Sequence, residues 1–193
     1  MISSAVDVES GVYTSFDWDN LKQDEYVTAV LASASFPFAF PMTELRGRYY
    51  MDGGTTWNTN IISAIDKCKQ LGYKEEEIVL DIMQLDPMSI EPWHPTSNQT
   101  NTWNYYMRAQ GLKSNYQSLN DLAEFIHANP KLNYRYLVIP SKSLMADWQM
   151  LYPNPTLNAA VIEQGKEDAQ AALAMGEGGS FKKFLANFPW AKI

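Results

Sequence analysis

Asp52-Gly53-Gly54 offers a carboxylate at a place where it could accept a proton during catalysis. The three residues follow a short strand-forming run, and two glycines let the backbone swing away from an acid at a strand end. The carboxylate then lies in open space, as a general base requires. Because Asp-Gly-Gly is also common turn chemistry, these residues alone leave a catalytic and a purely structural interpretation open.

The residues before Asp52 predict the elements that position it. A helical run of small residues ends where two prolines forbid a regular helix. Two short strands follow, joined by a turn in which glycine supplies a left-handed residue. The predicted order is the helix Ala29–Ser35, the prolines Pro37 and Pro41, the strands Met42–Leu45 and Arg48–Met51, and the turn Arg46-Gly47 between them.

Phe36, Phe38 and Phe40 alternate with Pro37, Ala39 and Pro41 in the segment between the helix and the first of these strands. Three aromatic side chains close to a candidate base could line an acyl-chain pocket, because a lipid site needs a water-poor wall. Ordinary packing in a hydrophobic core is the competing interpretation.

The order A-S-A-S-F-P-F-A-F-P, hairpin and D-G-G resembles the second half of the patatin-like phospholipase (lipid acyl hydrolase) domain. The stretch Ala5–Gly11 resembles a strand of that family with a small residue, an Asp and a following Gly. The stretch Gly54–Asn60 resembles the lead into the helix after the family's D-G-G motif. The resemblance covers residues 2–85 well and residues 157–173 more loosely.

The resemblance implies that Asp52 is the base of a Ser-Asp catalytic dyad and that Gly53 and Gly54 set its orientation. It implies an α/β fold: part of a three-layer α/β/α architecture with a mostly parallel central sheet. It also implies a lipid or acyl ester substrate, no metal or organic cofactor, and peripheral contact with a membrane surface.

The sequence departs from the family pattern in one respect. It contains neither a G-x-S-x-G nucleophile elbow nor a Gly-rich oxyanion loop. We therefore expect residues 1–175 to be the C-terminal part of a hydrolase domain without its nucleophile half, and residues 176–193 to form a Gly-rich tail with a short helix. The chain alone is then expected to be inactive. The alternative is a catalytically dead remnant that acts as an interaction or binding module.

Composition narrows the classes of partner. The net charge of −7 disfavours nucleic acid and strongly anionic membranes, both of which select basic surfaces. A single cysteine, Cys68, rules out an intramolecular disulfide. No run approaches the ~18 apolar residues of a membrane-spanning helix. Both a cytoplasmic and a secretory location are left open, and Asn98-Gln99-Thr100 is a glycosylation sequon that only the secretory path would use.

Other reactive side chains receive structural interpretations. Asp7 is expected at a strand end or in a turn. Ser33 and Ser35 have no elbow around them, so small residues packed against a neighbouring backbone explain them better than nucleophiles do. Cys68 falls on the apolar face of a predicted helix, where we expect a small buried hydrophobic residue.

The two histidines are also interpreted without catalysis. His94, between Trp93 and Pro95, has no nucleophile to serve and is expected at the surface. His127 is expected in the last turn of a helix, where a cation complements the helix dipole. With two histidines and one cysteine, recognised ligand spacings give no metal site.

The rest of the chain alternates strands and helices, which predicts an α/β layered fold. Tyr26, Val27, Val30 and Leu31 are expected to form the apolar face of the helix before Phe36. Glu77–Leu85 is nearly continuous in apolar residues, as in a parallel strand buried on both faces. The remaining predictions are strands at Met1–Val8, Val12–Phe16 and Tyr134–Ile139, helices at Asn60–Gly72, Asn158–Met175 and Phe181–Trp190, an irregular segment at Trp148–Pro155, and a helix at Thr102–Ala128 that breaks near residues 111–115.

Overall fold

The computed structural model describes residues 1–94, 96, 101–143 and 154–188. The chain divides into two compact units, Met1–Tyr73 and Lys74–Ile193. The sequon at residues 98–100 and most of the irregular segment expected at Trp148–Pro155 lie outside the described residues. The fold class is mixed α/β, as predicted.

The first unit is built on a four-stranded sheet in the order β2-β1-β4-β3. Every neighbouring pair is antiparallel, which differs from the expected mostly parallel sheet. The reason is that two of the pairs are hairpins, and a short turn can join only antiparallel strands. The elements are β1 (Ser3–Asp7), β2 (Tyr13–Phe16), α1 (Tyr26–Ser33), β3 (Thr43–Leu45), β4 (Arg48–Asp52) and α2 (Ile61–Gln70).

The β3–β4 hairpin forms where the sequence predicts it. Leu45 pairs with Arg48, and the two residues between them have positive φ values of 56° at Arg46 and 73° at Gly47. Two consecutive left-handed residues match the twist of the strands that they join. Arg46 also donates to Glu25, which ties the turn to the residue just before α1.

Helix α1 packs on the sheet through its smallest residues. Ala29 and Ala32 are fully buried in a cluster with Ala5, Phe16 and Leu45 of the sheet. The predicted apolar face is therefore wrong. Val27 and Leu31 are 71% and 56% exposed, and Val30 is also exposed.

Helix α2 is capped by Asn60, whose side-chain oxygen accepts from the Ser63 N–H at 3.1 Å. The Asn60 amide group also donates to Ser4 Oγ at 2.7 Å and to Ser15 Oγ at 3.1 Å. Ser4 and Ala5 are neighbours on β1 and point to opposite faces of the sheet. The start of α2 is therefore attached to the face opposite α1.

The second unit contains a parallel pair of strands, β5 and β6. Parallel strands need a long connection, and helix α3 supplies it here. The elements are β5 (Val79–Met83), α3 (Thr102–Ala128), β6 (Asn133–Val138), α4 (Pro155–Ala174) and α5 (Gly179–Asn187). Side chains that are buried in this unit include Leu80, Leu119, Leu122, Leu137 and Phe184.

Two predictions for this unit are wrong. Helix α3 is continuous over 27 residues, with no break near Gly111. Nothing lies within 4 Å of a Cβ placed on Gly111, so this glycine is an exposed helix residue that costs about 1 kcal/mol relative to alanine and does not end the helix. Strand β5 is buried on one face only, because Leu80 and Ile82 are buried while Val79 and Met83 are exposed.

The C-terminal segment attaches to the outer edge of β6. Gly178 N–H donates to the Arg135 carbonyl at 2.8 Å, and Leu137 N–H donates to Ser180 Oγ at 2.8 Å. Phe181 and Phe184 of α5 are buried. The proposed boundary at residues 175 and 176 stays a prediction. No helix in the described ranges is both long and apolar enough to cross a membrane.

Candidate functional site

Asp52 is the last residue of β4. It is also the N-cap of the 3₁₀ turn Gly53–Thr55, since its side chain accepts from the Gly54 N–H. It pairs with Ala5 of β1 across the sheet. Its backbone N–H donates to the Ser35 carbonyl at 3.0 Å, so the strand end is also attached to the residue that follows α1 and its cap. The Asp-Gly-Gly sequence therefore ends a strand, as the residue types predict.

The two glycines after Asp52 both lie close to neighbouring atoms, but only Gly53 faces fixed backbone. A Cβ on Gly53 would lie 2.6 Å from the Ser4 carbonyl oxygen. A Cβ on Gly54 would lie 2.9 Å from Asn58 Oδ1 and 3.1 Å from Asp52 Oδ1. Because real Cβ atoms do not approach backbone oxygen so closely, a side chain at Gly53 would push the turn away from β1.

The Asp52 carboxylate is half-buried and has one hydrogen bond from the backbone, Gly54 N–H to Oδ1 at 2.7 Å. Burial raises the pKa of Asp52 above its ordinary value, and the Gly54 N–H lowers it by a smaller amount. A carboxylate with a raised pKa is a stronger proton acceptor. The Asp52 carboxylate is therefore more basic than that of an exposed aspartate.

Tyr13 is a neighbour of Asp52 that the sequence does not reveal. Its hydroxyl donates to the Trp57 carbonyl at 3.2 Å, and its ring lies 5.6 Å from the Trp57 ring. Burial raises the pKa of Tyr13, a hydrogen bond with Ser4 lowers it by a smaller amount, and the negative charge of Asp52 makes a further small upward contribution. The sequence shows Tyr13 only as one residue of an alternating strand pattern. Its proximity to Asp52 depends on the path of the turn after β4, which the pattern does not reveal.

Phe36, Phe38 and Phe40 lie in the loop between α1 and β3. All three are exposed, with Phe38 at 81%, so they do not belong to the buried core. Phe38 has a φ of 72°, a left-handed conformation that is costly for a bulky side chain. Their lining of an acyl-chain pocket stays a prediction.

Ser35 is not available as a nucleophile. It is buried, its hydroxyl donates to the Leu31 carbonyl at 2.8 Å, and Thr43 Oγ1 lies 2.7 Å away. This agrees with the interpretation of Ser35 as a small residue packed against neighbouring backbone.

Asp7 is the last residue of β1 and stabilises the turn after it. Its Oδ1 accepts from Glu9 N–H at 2.9 Å and Ser10 N–H at 3.1 Å, while Oδ2 pairs with Arg48 at 2.6 Å. The Arg48 guanidinium holds the pKa of Asp7 at about 2. The prediction that Asp7 is a strand-end or turn residue is confirmed.

The other candidate side chains lie away from Asp52 along the chain. Cys68 is half-buried, less buried than predicted. His94 is exposed, and His127 occupies the last turn of α3, as predicted for both. Within the described ranges, no three His, Cys, Asp or Glu side chains are arranged to hold a metal ion.

The segment that contains Asp52 is similar to a known protein family. Residues 3–65 match the family model of patatin-like phospholipase. The match runs from β1 into α2, and so includes Asp52, both glycines and the loop with the three phenylalanines. It covers 63 of the 193 residues, all of them in the first unit. No curated protein matches the chain.

The match suggests a family of lipid acyl hydrolases for this part of the chain. Residues 74–193, the second unit, lie beyond the matched range. The family association therefore rests on the sheet and helices that surround Asp52.

Proposed function

We propose that the first unit belongs to a serine lipid acyl hydrolase in which Asp52 is the base of a Ser-Asp dyad. The observation that carries the proposal is the position of Asp52: a half-buried carboxylate with a raised pKa at a strand end, inside the segment that matches the patatin-like family. The serine and the oxyanion donors would lie on a segment outside these 193 residues.

In the proposed mechanism, the serine oxygen attacks the ester carbonyl while its proton passes directly to Asp52. The tetrahedral intermediate collapses to an acyl-serine, and the leaving alcohol takes a proton from Asp52. Water then attacks the acyl group while Asp52 accepts its proton. The second tetrahedral intermediate collapses, the serine oxygen takes the proton back from Asp52, and the free acid departs. The Gly54 N–H would hold the carboxylate in a fixed orientation through both steps.

The substrate class proposed is the carboxylic esters of phospholipids or acylglycerols. Phe36, Phe38 and Phe40 would line the acyl groove or contact a membrane surface, because exposed aromatic side chains beside the Asp52 segment offer apolar surface to a lipid. The parent domain would have the three-layer α/β/α architecture, of which α1, the sheet and the start of α2 form one part.

The experiment joins the chain to the nucleophile segment encoded upstream in the same reading frame. If that sequence contains a G-x-S-x-G elbow and a Gly-rich loop, the joined protein should hydrolyse p-nitrophenyl butyrate. Asp52→Asn should then lower kcat by about 10²–10⁴-fold, the usual contribution of a general base. Asp66→Asn, an exposed acid of α2, is the control and should keep full activity.

The same assay on the 193-residue chain alone should give no turnover above its own Asp52→Asn variant. An upstream sequence without an elbow, or a joined protein whose kcat is unaffected by Asp52→Asn, would contradict the proposal.

A second candidate is a non-catalytic binding module. The exposed side chains Val27 and Leu31 on α1 favour it, because apolar helix surface commonly marks an interface. This function predicts that Asp52→Asn leaves binding to the partner protein unchanged, whereas replacement of Val27 and Leu31 by Gln abolishes that binding.

A further inference from the structure

Asp52 is attached to the rest of the first unit through the backbone of Ser35. The Asp52 N–H donates to the Ser35 carbonyl at 3.0 Å. Ser35 directly follows the C-cap residue of α1, and its own N–H donates to the Ala32 carbonyl at 3.2 Å. The end of α1 therefore sets where the peptide of Asp52 lies.

The side chain of Ser35 is fixed on both sides. Its hydroxyl donates to the Leu31 carbonyl at 2.8 Å, so its single hydrogen is used within α1. The contact of 2.7 Å with Thr43 Oγ1 then requires that Thr43 donates to Ser35 Oγ. Thr43 is the first residue of β3 and pairs with Tyr50 of β4, two residues before Asp52.

These contacts form a closed path. It runs from Asp52 through the Ser35 backbone to the Ser35 hydroxyl, on to Thr43, and back along β3 and β4 to Asp52. Only 5% of Ser35 is exposed, so its own hydrogen bonds are largely shielded from water. Because this path joins Asp52 to Ser35 and Thr43, the backbone of Asp52 can move only if several of these hydrogen bonds break together.

We propose that Ser35, through its hydroxyl bond with Thr43, is a positioning residue that fixes the Asp52 carboxylate for proton transfer. The inference rests on the proposed role of Asp52 as the base. A base must lie within hydrogen-bond reach of the proton that it takes, and a shift of about 1 Å can cost about 100-fold in rate. The sequence motif thus contains two functional positions: the acid, and the serine seventeen residues before it that holds its peptide.

The test measures Asp52 directly, in the 193-residue chain and without turnover. The ¹³C carboxyl shift of Asp52 is followed against pH by NMR, and the hydrogen exchange of its backbone N–H is measured at one pH. Tyr13 is the neighbouring titratable group, and its signal is followed in the same spectra. The variants are Ser35→Ala and Thr43→Val, which remove one hydroxyl each, with Thr43→Ser and Ser33→Ala as the matched controls.

In Ser35→Ala and Thr43→Val, we expect the Asp52 N–H to exchange about tenfold faster, as loss of one hydrogen bond's stabilisation allows. The titration midpoint of Asp52 should move down toward the ordinary range of aspartate, since a loosened carboxylate gains water. Thr43→Ser keeps the donor and Ser33→Ala leaves the path intact, so both should behave as wild type. Thr43→Val preserves side-chain volume, which keeps the test decisive if Ser35→Ala fails to fold.

A purely structural role would lower the unfolding temperature of both variants and leave the Asp52 midpoint and exchange rate unchanged, and that result would overturn the inference. These readouts are independent of ester hydrolysis. A joined protein that is indifferent to Asp52→Asn would refute the catalytic role, whereas an unmoved Asp52 signal would refute only the role of Ser35.

Discussion

Two aspartates on one face of the same sheet have opposite electrostatic environments. Ala5 pairs with Asp52 and Asp7 pairs with Tyr50, so Asp7 and Asp52 lie two residues apart in the register. Arg48 holds the pKa of Asp7 at about 2, while burial raises the pKa of Asp52. Environments that separate the pKa values of nearby acids also separate their roles. Asp7 is the structural acid of the pair.

Asp7 should make the first unit sensitive to acid. Its folded pKa is below the ordinary value of about 3.9, so its stabilising contribution is complete above pH 4 and is lost as pH falls toward 2. Asp7→Asn should therefore be less stable than wild type at pH 7, and the difference should shrink between pH 4 and pH 2. Urea midpoints measured by far-UV circular dichroism across this range check it.

Glu25, whose pKa is held at about 2 by Arg46, loses its contribution in the same pH range in both proteins. Its effect therefore cancels in the difference, and Asp66→Asn serves as the exposed control. A gap between wild type and Asp7→Asn that stays constant down to pH 2 would contradict the assigned role of the Arg48 pair.

At the scale of residues, the sequence predicts the features that local chemistry determines. The strand end at Asp52, the turn at Gly47 and the turn role of Asp7 all depend on residue types and their order. The contact of Tyr13 with the Asp52 environment and the hydrogen bond from Asp52 to Ser35 do not, because each joins residues that are distant in the chain. Such contacts depend on packing that no local pattern encodes.

At the scale of elements, α1 shows why a hydrophobic pattern can mislead. Val27, Val30 and Leu31 are the largest aliphatic residues of the helix, yet Ala29 and Ala32 form its buried face. Small residues allow a helix to lie close to a sheet, and close contact then excludes larger side chains from that face. The prediction placed the most hydrophobic residues of α1 against the sheet, whereas the residues that pack there are the smallest ones.

Asn60 joins three elements, so its replacement should cost more than the loss of a helix cap. Asn60→Ala removes the cap of α2, worth about 1 kcal/mol, and the bonds to Ser4 and Ser15, worth about another 1 kcal/mol. Asn60→Ser keeps a capping oxygen and should lose about half as much. Urea unfolding followed by far-UV circular dichroism measures both.

Asn154→Ala is the matched control. Asn154 caps α4 through the N–H groups of Thr156 and Leu157, so only the capping contribution of about 1 kcal/mol should be lost. If Asn60→Ala costs no more than Asn154→Ala, the bonds to β1 and β2 contribute nothing to stability.

At the scale of the whole molecule, the alternation of strands and helices predicts the α/β class but not the pairing of strands. Whether two strands are parallel depends on the length and path of their connection. The short links at residues 8–12 and 46–47 give antiparallel pairs, and the link containing α3 gives the one parallel pair in the described ranges. The apolar composition of β5 carries no information about which of its faces is covered.

The exposed side chains of α1 should make the isolated chain self-associate. Val27 and Leu31 are four residues apart and lie on one side of the helix, where they present apolar surface to water. We expect the hydrodynamic radius to rise with protein concentration in dynamic light scattering. The double variant Val27→Gln, Leu31→Gln should reduce this rise, because neither side chain belongs to the core.

Ile162→Gln on α4 is the control, since Ile162 is similarly exposed but lies in the second unit. It should associate as wild type does. A wild-type chain that remains a monodisperse monomer at every concentration would show that the α1 surface does not drive association.

The attachment of Gly178 and Ser180 to β6 limits how the second unit can assemble. Their hydrogen bonds occupy backbone groups along the outer edge of β6, so a further strand cannot add there. Among the described residues, β5 has β6 as its single strand partner, and growth of the sheet is confined to that side. Two copies joined through β5 would each present a blocked edge outward, so polymerisation through this sheet would terminate at a pair and could not propagate into a fibre.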